Sequence, residues 1–225
     1  HPSILEFIGF STCNFKKISK PTIITELLTN GSLRDVINLE LTNKLPNWTI
    51  TKKLINLYGI AKGMSYLHKN HIIHRDLKPE NILENQYLFP KISDFGLSKT
   101  NHTHSDTITY QSEVEDKGTI YYMAPEIFSD QKYSPKSDVY AYGILLFEVI
   151  TGKRPYSSDY SKFQIFELVN SGSRPSIPED VPNCYRKLIE KCWHQDPKER
   201  PSFEEISERL KNDDEFHKDV DIAQF

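Results

Sequence analysis

His74-Arg75-Asp76-Leu77-Lys78-Pro79-Glu80-Asn81 is followed, eighteen positions after Asp76, by Asp94-Phe95-Gly96. The first run offers a carboxylate, an ammonium group and a carboxamide within six residues, and the second adds another carboxylate. A base, a cation for phosphate oxygens and oxygen donors for a hard divalent ion are the parts that phosphoryl transfer requires. Either carboxylate alone would read as a solvated turn residue or a helix cap. Their shared spacing with Lys78 and Asn81 is what points to chemistry.

Outward from this run, the pattern is a strand-rich entry followed by a helical body. Residues 7–15 and 21–28 are apolar and β-branched and predict an antiparallel pair, joined through the lysine-bearing residues 16–20. Asn30-Gly31-Ser32 breaks that pattern. From Asn47, read as an N-cap, apolar residues recur at Ile50, Leu54, Leu57, Ala61, Met64 and Leu67, with Lys52, Lys53 and Lys62 facing outward. This helix is expected to end near Asn70. Residues 139–151 are apolar on nearly every face and stop at Gly152, which predicts a buried central helix. Residues 184–194 and 203–210 read as shorter amphipathic helices, divided by Pro197 and Pro201. Residues 97–117 show no clear period, and a loop that long inside a compact domain is usually functional or mobile. The acidic residues 213–221 are expected to be a solvated helix end and terminus.

Composition narrows the function classes. A formal net charge of −3 over 225 residues gives no basic footprint for nucleic acid or an anionic membrane. The longest apolar stretch, residues 139–150, is too short to span a bilayer and carries Glu148. Cys13, Cys184 and Cys192 form neither an even disulfide framework nor a zinc spacing, so a reducing cytoplasmic or other intracellular setting is the simpler expectation. His102 and His104 suggest a metal, but two loop histidines without a third ligand more often carry no such role. The chain starts at His1 without a methionine, close to patterned structure, and is expected to be a fragment.

Two further runs, Gly118-Thr119-Ile120-Tyr121-Tyr122-Met123-Ala124-Pro125-Glu126 and Asp138-Val139-Tyr140-Ala141-Tyr142-Gly143, complete a series. In this order the four motifs resemble the eukaryotic protein kinase catalytic domain, over essentially the whole chain. The resemblance implies an α+β protein-kinase-like fold, with a partial N-lobe in residues 1–28, a hinge in 29–33, a helical C-lobe in 34–212 and a tail in 213–225. It also implies ATP and Mg2+ as cofactors, protein substrates, a role in signalling and room for partner domains outside this chain. In the family's pattern Asp76 accepts or orients the acceptor hydroxyl proton, Lys78 sits beside the moving γ-phosphate, and Asn81 and Asp94 hold magnesium. Thr119, together with Leu77-Lys78-Pro79-Glu80-Asn81, resembles the serine/threonine kinases. Thr25 would guard the back of the nucleotide pocket, the backbones of Glu26 and Leu28 would bind adenine, and Leu83 would form the floor.

Other matched positions imply architecture and regulation. Glu126 and Arg200 would form a buried ion pair, and Asp138 would brace the loop that carries Asp76. Glu80 and Glu148 match positions that contact basic substrate residues in some relatives, though both equally read as structural acids. Tyr122 to Glu126, Asp138-Val139-Tyr140 and Cys192-Trp193 through Arg200-Pro201 look closest to the tyrosine-kinase-like group of serine/threonine kinases. Arg75 would pair with an activation-loop phosphate. Glu115, four positions before Thr119, would supply a permanent and weaker charge there. Thr107, Thr109, Tyr110 and Ser112 are candidate phosphosites, set against a solvated acidic loop.

The upper half of the pattern is thinner. No glycine-rich phosphate loop and no strand lysine occur in residues 1–73, and Lys16, Lys17 and Lys20 fall in or beside the strand connection. A pseudokinase-like binding module, or a catalytically incomplete fragment, is therefore the competing function class. An isolated strand pair is marginal in water and its open edge promotes association. Residues 1–225 alone are accordingly expected to bind ATP poorly and to aggregate.

Overall fold

A computed structural model describes residues 1–45, 47–94, 99–100, 119–130 and 132–225. Strands β1 (Phe7–Cys13) and β2 (Ser19–Thr25) form the expected antiparallel hairpin, with Phe7 opposite Thr25 and Cys13 opposite Ser19. β1 stops two residues before the apolar pattern does because Asn14 closes the turn, while β2 starts two residues earlier than expected and ends at Thr25 rather than at residue 28. Asn14 Oδ1 accepts the N–H groups of Lys16 and Ile18, and Lys17 takes a left-handed φ of 59°. The hairpin leaves Phe7, Ile8, Phe10, Phe15 and Ile23 exposed.

Helix α1 (Leu33–Leu41) was not foreseen in the sequence. Ser32, read there as part of a breaker, starts it: the Ser32 side chain accepts from the Asp35 N–H while Asp35 reaches back to the Ser32 N–H, a reciprocal capping box. Helix α2 (Ile50–Lys69) begins at Thr49 rather than Asn47 and ends at Asn70 as expected. After it come β3 (Ile72–Ile73), a 3-10 turn (Pro79–Asn81), β4 (Ile82–Glu84), β5 (Pro90–Ile92) and β6 (Lys99–Thr100). β3 pairs with β6, and β4 pairs with β5. The chain preceding β1 is fastened to this small sheet, since the Leu5 N–H donates to Ile92 O and the Ile92 N–H to Ser3 O, each at 2.9 Å.

A second 3-10 turn (Thr119–Tyr122) leads into α3 (Pro125–Asp130) and then α4 (Pro135–Thr151). α4 is the buried helix its composition predicted. Ser134 caps it, Pro135 occupies the first turn where no N–H is needed, and Gly152 ends it at φ 67°. Gly143 permits a close approach, because a Cβ there would sit 2.9 Å from Cys192 Cβ. Helices α5 (Lys162–Asn170), α6 (Asn183–Cys192) and α7 (Phe203–Asn212) follow. The apolar faces of α2, α6 and α7 enclose α4, with the Phe203 ring edge-on to both His68 and Tyr142.

The C-terminal residues depart from the solvated tail expected of them. Phe216 is buried with its ring edge-on to Tyr185, the Asp221 N–H donates to Thr51 Oγ1 at 2.9 Å, and the Phe225 ring meets Tyr58. Those aromatic contacts outweigh the solvation of the neighbouring acids. Among the described residues, no helix is long and apolar enough to cross a membrane.

Candidate active site

One carboxylate organises the loop after β3. Asp138, in the first turn of α4, accepts the His74 N–H at Oδ2 and the Arg75 N–H at Oδ1, both at 2.9 Å, while His68 Nε2 lies 2.8 Å from Oδ2. This is the bracing expected of Asp138. Hydrogen bonds to a buried charge are the strong ones, about 1.5–3 kcal/mol each. They hold Arg75 at φ 72°, a left-handed conformation that costs a non-glycine residue about 1–2 kcal/mol. Asp94 is also left-handed, at φ 58°.

The same loop is stitched to the segment carrying Asp94. His74 Nε2 lies 3.0 Å from Ser93 O, and both the Ser93 N–H and its hydroxyl donate to Asn81 O at 2.9 Å. Asn81 and Asp94, thirteen positions apart in sequence, are thereby brought to neighbouring points of the backbone.

Around Asp76 the polar side chains close a ring. Asn81 Nδ2 donates to Asp76 O at 2.7 Å and to Asp76 Oδ2 at 2.8 Å. Lys78 Nζ lies 2.9 Å from that same Oδ2 and donates to Thr119 Oγ1 at 2.8 Å, with Thr119 Oγ1 a longer 3.5 Å from Asp76 Oδ1. Asp76, Lys78 and Asn81, read from one run of sequence, and Thr119, read from another, thus share one site. Because the Asn81 amide nitrogen is committed to Asp76, its Oδ1 is the atom left to act as a ligand. A carboxamide oxygen and the Asp94 carboxylate are the hard donors that suit Mg2+, which commonly takes one or two protein oxygens and completes its shell with phosphate and water.

A family model for protein tyrosine and serine/threonine kinases matches residues 1–210. The chain belongs to that family. It is 36% identical over 225 residues to the serine/threonine-protein kinase STY17 of Arabidopsis thaliana, covering 97% of this chain and 37% of the relative. It is 37% identical to the serine/threonine-protein kinase STY46 of the same plant, covering 93% of this chain and 34% of that one. The tyrosine-protein kinase FRK of Homo sapiens is 34% identical, covering 97% and 41% respectively. The chain therefore spans well under half the length of these relatives, as a kinase domain with the α+β fold of the family.

Facing this kinase domain's β4, residues 29–33 lie across the strand. The Glu84 N–H donates to Gly31 O at 2.9 Å, Ser32 bridges Leu83, and Asn30 Nδ2 donates to Asn85 O at 2.6 Å. Leu83 is half-buried beneath them. Thr25 ends β2, and its hydroxyl reaches Glu26 O at 3.3 Å. The Glu26 N–H is already committed to Glu6 O, whereas its carbonyl, which accepts from the Thr25 hydroxyl, keeps a second lone pair for a ligand. Burial pushes the Glu26 carboxyl up, but Lys91 at 2.9 Å and the Glu6 N–H outweigh it and hold the group below its usual range. Lys91 was not singled out in the sequence.

Glu126 and Arg200 form the expected pair, with Nη1 and Nη2 donating to the two carboxylate oxygens at 2.7 and 2.9 Å. Lys136 Nζ donates to Arg200 O, and the Tyr140 ring packs under the Arg200 guanidinium. Glu148 departs from the substrate-contact alternative. Its side chain is wholly enclosed, and Arg34 Nη2 donates to both its oxygens at 2.9 and 2.8 Å. Arg34 Nε also donates to Glu80 Oε1 at 2.9 Å, and the Tyr122 hydroxyl donates to Glu148 Oε2 at 2.5 Å. The sequence held no signal for Arg34, whose helix was itself unforeseen.

Arg75 lays its guanidinium over the Tyr133 ring at 5.1 Å. Phe95, Gly96, His102, His104, Thr107, Thr109, Tyr110, Ser112, Glu115 and Gly118 lie outside the described residues.

Proposed function

We propose that this kinase domain transfers the γ-phosphoryl group of ATP to serine and threonine hydroxyls of proteins. The ring that joins Asp76 to Lys78, Asn81 and Thr119 is the observation that carries this reading. Asp76 orients the acceptor hydroxyl and takes up its proton. Lys78, held between Asp76 and Thr119, presents its ammonium to the phosphoryl oxygens. Asn81 Oδ1 and the Asp94 carboxylate would hold Mg2+, which when bound neutralises phosphate charge. The carbonyl of Glu26 and the backbone of Leu28 would receive adenine over Leu83, with Thr25 behind it. The corresponding division is an N-lobe portion in residues 1–28, a hinge in 29–33, a C-lobe in 34–212 and a tail in 213–225. Arg75 is the proposed regulatory cation, answering Glu115 or phosphate on Thr107, Thr109 or Ser112.

Contact between Lys78 and Thr119, and likeness to proteins named serine/threonine kinases, support the acceptor class. The competing class is a binding module that docks partners without transfer. Incorporation of labelled phosphate from ATP by the complete protein decides between them. Asp76→Asn should lower the rate by about a hundredfold or more, the usual worth of a positioned base. Undiminished transfer by that variant would refute the assignment of Asp76, product found mainly on tyrosine would refute the acceptor class, and nucleotide binding without transfer would favour the docking module.

A further inference from the structure

The acidic pair beside Lys78 is occupied from within the chain. Arg34 spans Glu80 and Glu148, and Tyr122 donates into the same Glu148 carboxylate. Burial pushes the Glu148 carboxyl up, and Arg34, bonded to both its oxygens, opposes that push without cancelling it. An incoming lysine or arginine would have to displace Arg34 from a buried and fully partnered charge, which is strongly unfavourable.

A second guanidinium stands on the rim of this cluster. Arg154 is 51% exposed, with Nη1 3.7 Å from Glu80 Oε1 and 4.0 Å from Glu148 Oε1. Both distances exceed the roughly 2.7–2.9 Å of a charge-assisted hydrogen bond. Lys153 beside it is exposed as well. Arg154 is thus held by neither carboxylate at hydrogen-bond distance, and half of its side chain faces solvent. The position is adjacent to the proposed acceptor site along two paths. Glu80 lies two residues past Lys78, and Tyr156, two past Arg154, meets the ring of Tyr121, two past Thr119, at 5.9 Å.

We propose that Arg154 is a specificity determinant which receives an acidic side chain of the protein substrate, carboxylate or phosphate, close to the acceptor hydroxyl, while Arg34 closes the same patch to basic residues. The planar fork of an arginine matches either anion in a two-point contact. This rests on the phosphoryl-transfer reading above and adds the substrate class to it.

A positional-scanning peptide library tests it with the complete protein, each position flanking the acceptor being set in turn to Asp, Glu, phosphoserine, Ala, Lys or Arg. At one or more positions an acidic residue should raise kcat/KM over alanine by about fivefold, the scale of a partly exposed charge pair. Selection of phosphoserine alone, or of Asp and Glu as well, identifies which anion is read, and either supports the assignment. Arg154→Glu should turn the preference at that position towards Lys and Arg, a reversal that misfolding cannot produce. Basic selection or no selection by the natural protein, or an unchanged profile in Arg154→Glu, overturns the role of Arg154 alone. Failure to phosphorylate any peptide would instead remove the phosphoryl-transfer reading and this inference with it.

Discussion

Replacing Glu84 with glutamine should stabilise the protein, and increasingly so as the pH rises. Glu84 ends β4 fully buried, and among the described residues neither of its carboxyl oxygens has a hydrogen-bond partner. Asn56 stands beside it in the same position: its Nδ2 is committed to Lys52 O at 3.1 Å and Leu88 O at 2.9 Å, which leaves Oδ1 without a donor. A buried carboxylate without a hydrogen-bond partner is costly, and the neutral Glu84 carboxyl avoids most of that cost. Burial, opposed only in part by Asn56, pushes this group well above its usual 4.5. The folded protein then binds a proton that the unfolded chain releases throughout the window above that value. Stability contributed at this site is undiminished below about pH 4.5 and falls as the pH climbs towards the folded pKa, with a limiting slope of about 1.4 kcal/mol per pH unit. Glutamine has the same shape and never ionises, so the slope should vanish in Glu84→Gln. Urea unfolding of both proteins at several values between about pH 5 and 8, the range over which stability usually peaks, measures the difference directly. The advantage of the variant should widen with each step upward. A difference that stays constant with pH, or a variant that is the weaker protein at the alkaline end, would refute a buried neutral carboxyl.

Arg200→Met should destabilise by about 3–5 kcal/mol in the same assay, because Glu126 is left with an unpaired and largely buried charge; adding Glu126→Gln should recover part of that loss. Gly63→Ala should destabilise by about 1–3 kcal/mol, since a Cβ would fall 2.6 Å from Ile92 Cδ1 and 3.2 Å from Ser3 O. Loss of the attachment between the pre-β1 segment and β5 should appear as faster proteolysis near the N-terminus.

What was legible in the sequence follows from how local the signal is. Asp76, Lys78 and Asn81 lie within six residues, so the chemistry they share is written at short range and the fold has only to bring in Thr119 and Asp94. α4 was legible because a helix apolar on every face has few alternatives to the centre of the core. Arg34 was not: its partners lie 46, 88 and 114 positions away, and nothing along the chain marks such a meeting. Ser32 was visible but misassigned, since Asn30-Gly31-Ser32 is equally a break and the entry to a capping box with Asp35. Asn47 and Thr49 are both cap-type residues two positions apart; Trp48 between them is buried, and Thr49 is the one whose oxygen reaches the Lys52 N–H. At the C-terminus Phe216 is buried and Val220 and Phe225 pack against the core, too few apolar residues among the acids to set up a period that could be read.

Asp138 has a dynamic consequence as well as a geometric one. It belongs by position to the most enclosed helix of the domain, yet its two oxygens hold the amides of His74 and Arg75. The loop that presents Asp76 thus opens only when the first turn of α4 opens, and its amide protons should exchange with solvent on the slow timescale of global unfolding rather than that of a surface loop. Asp76, the proposed base, is thereby tied to the cooperative unit of the core through Asp138.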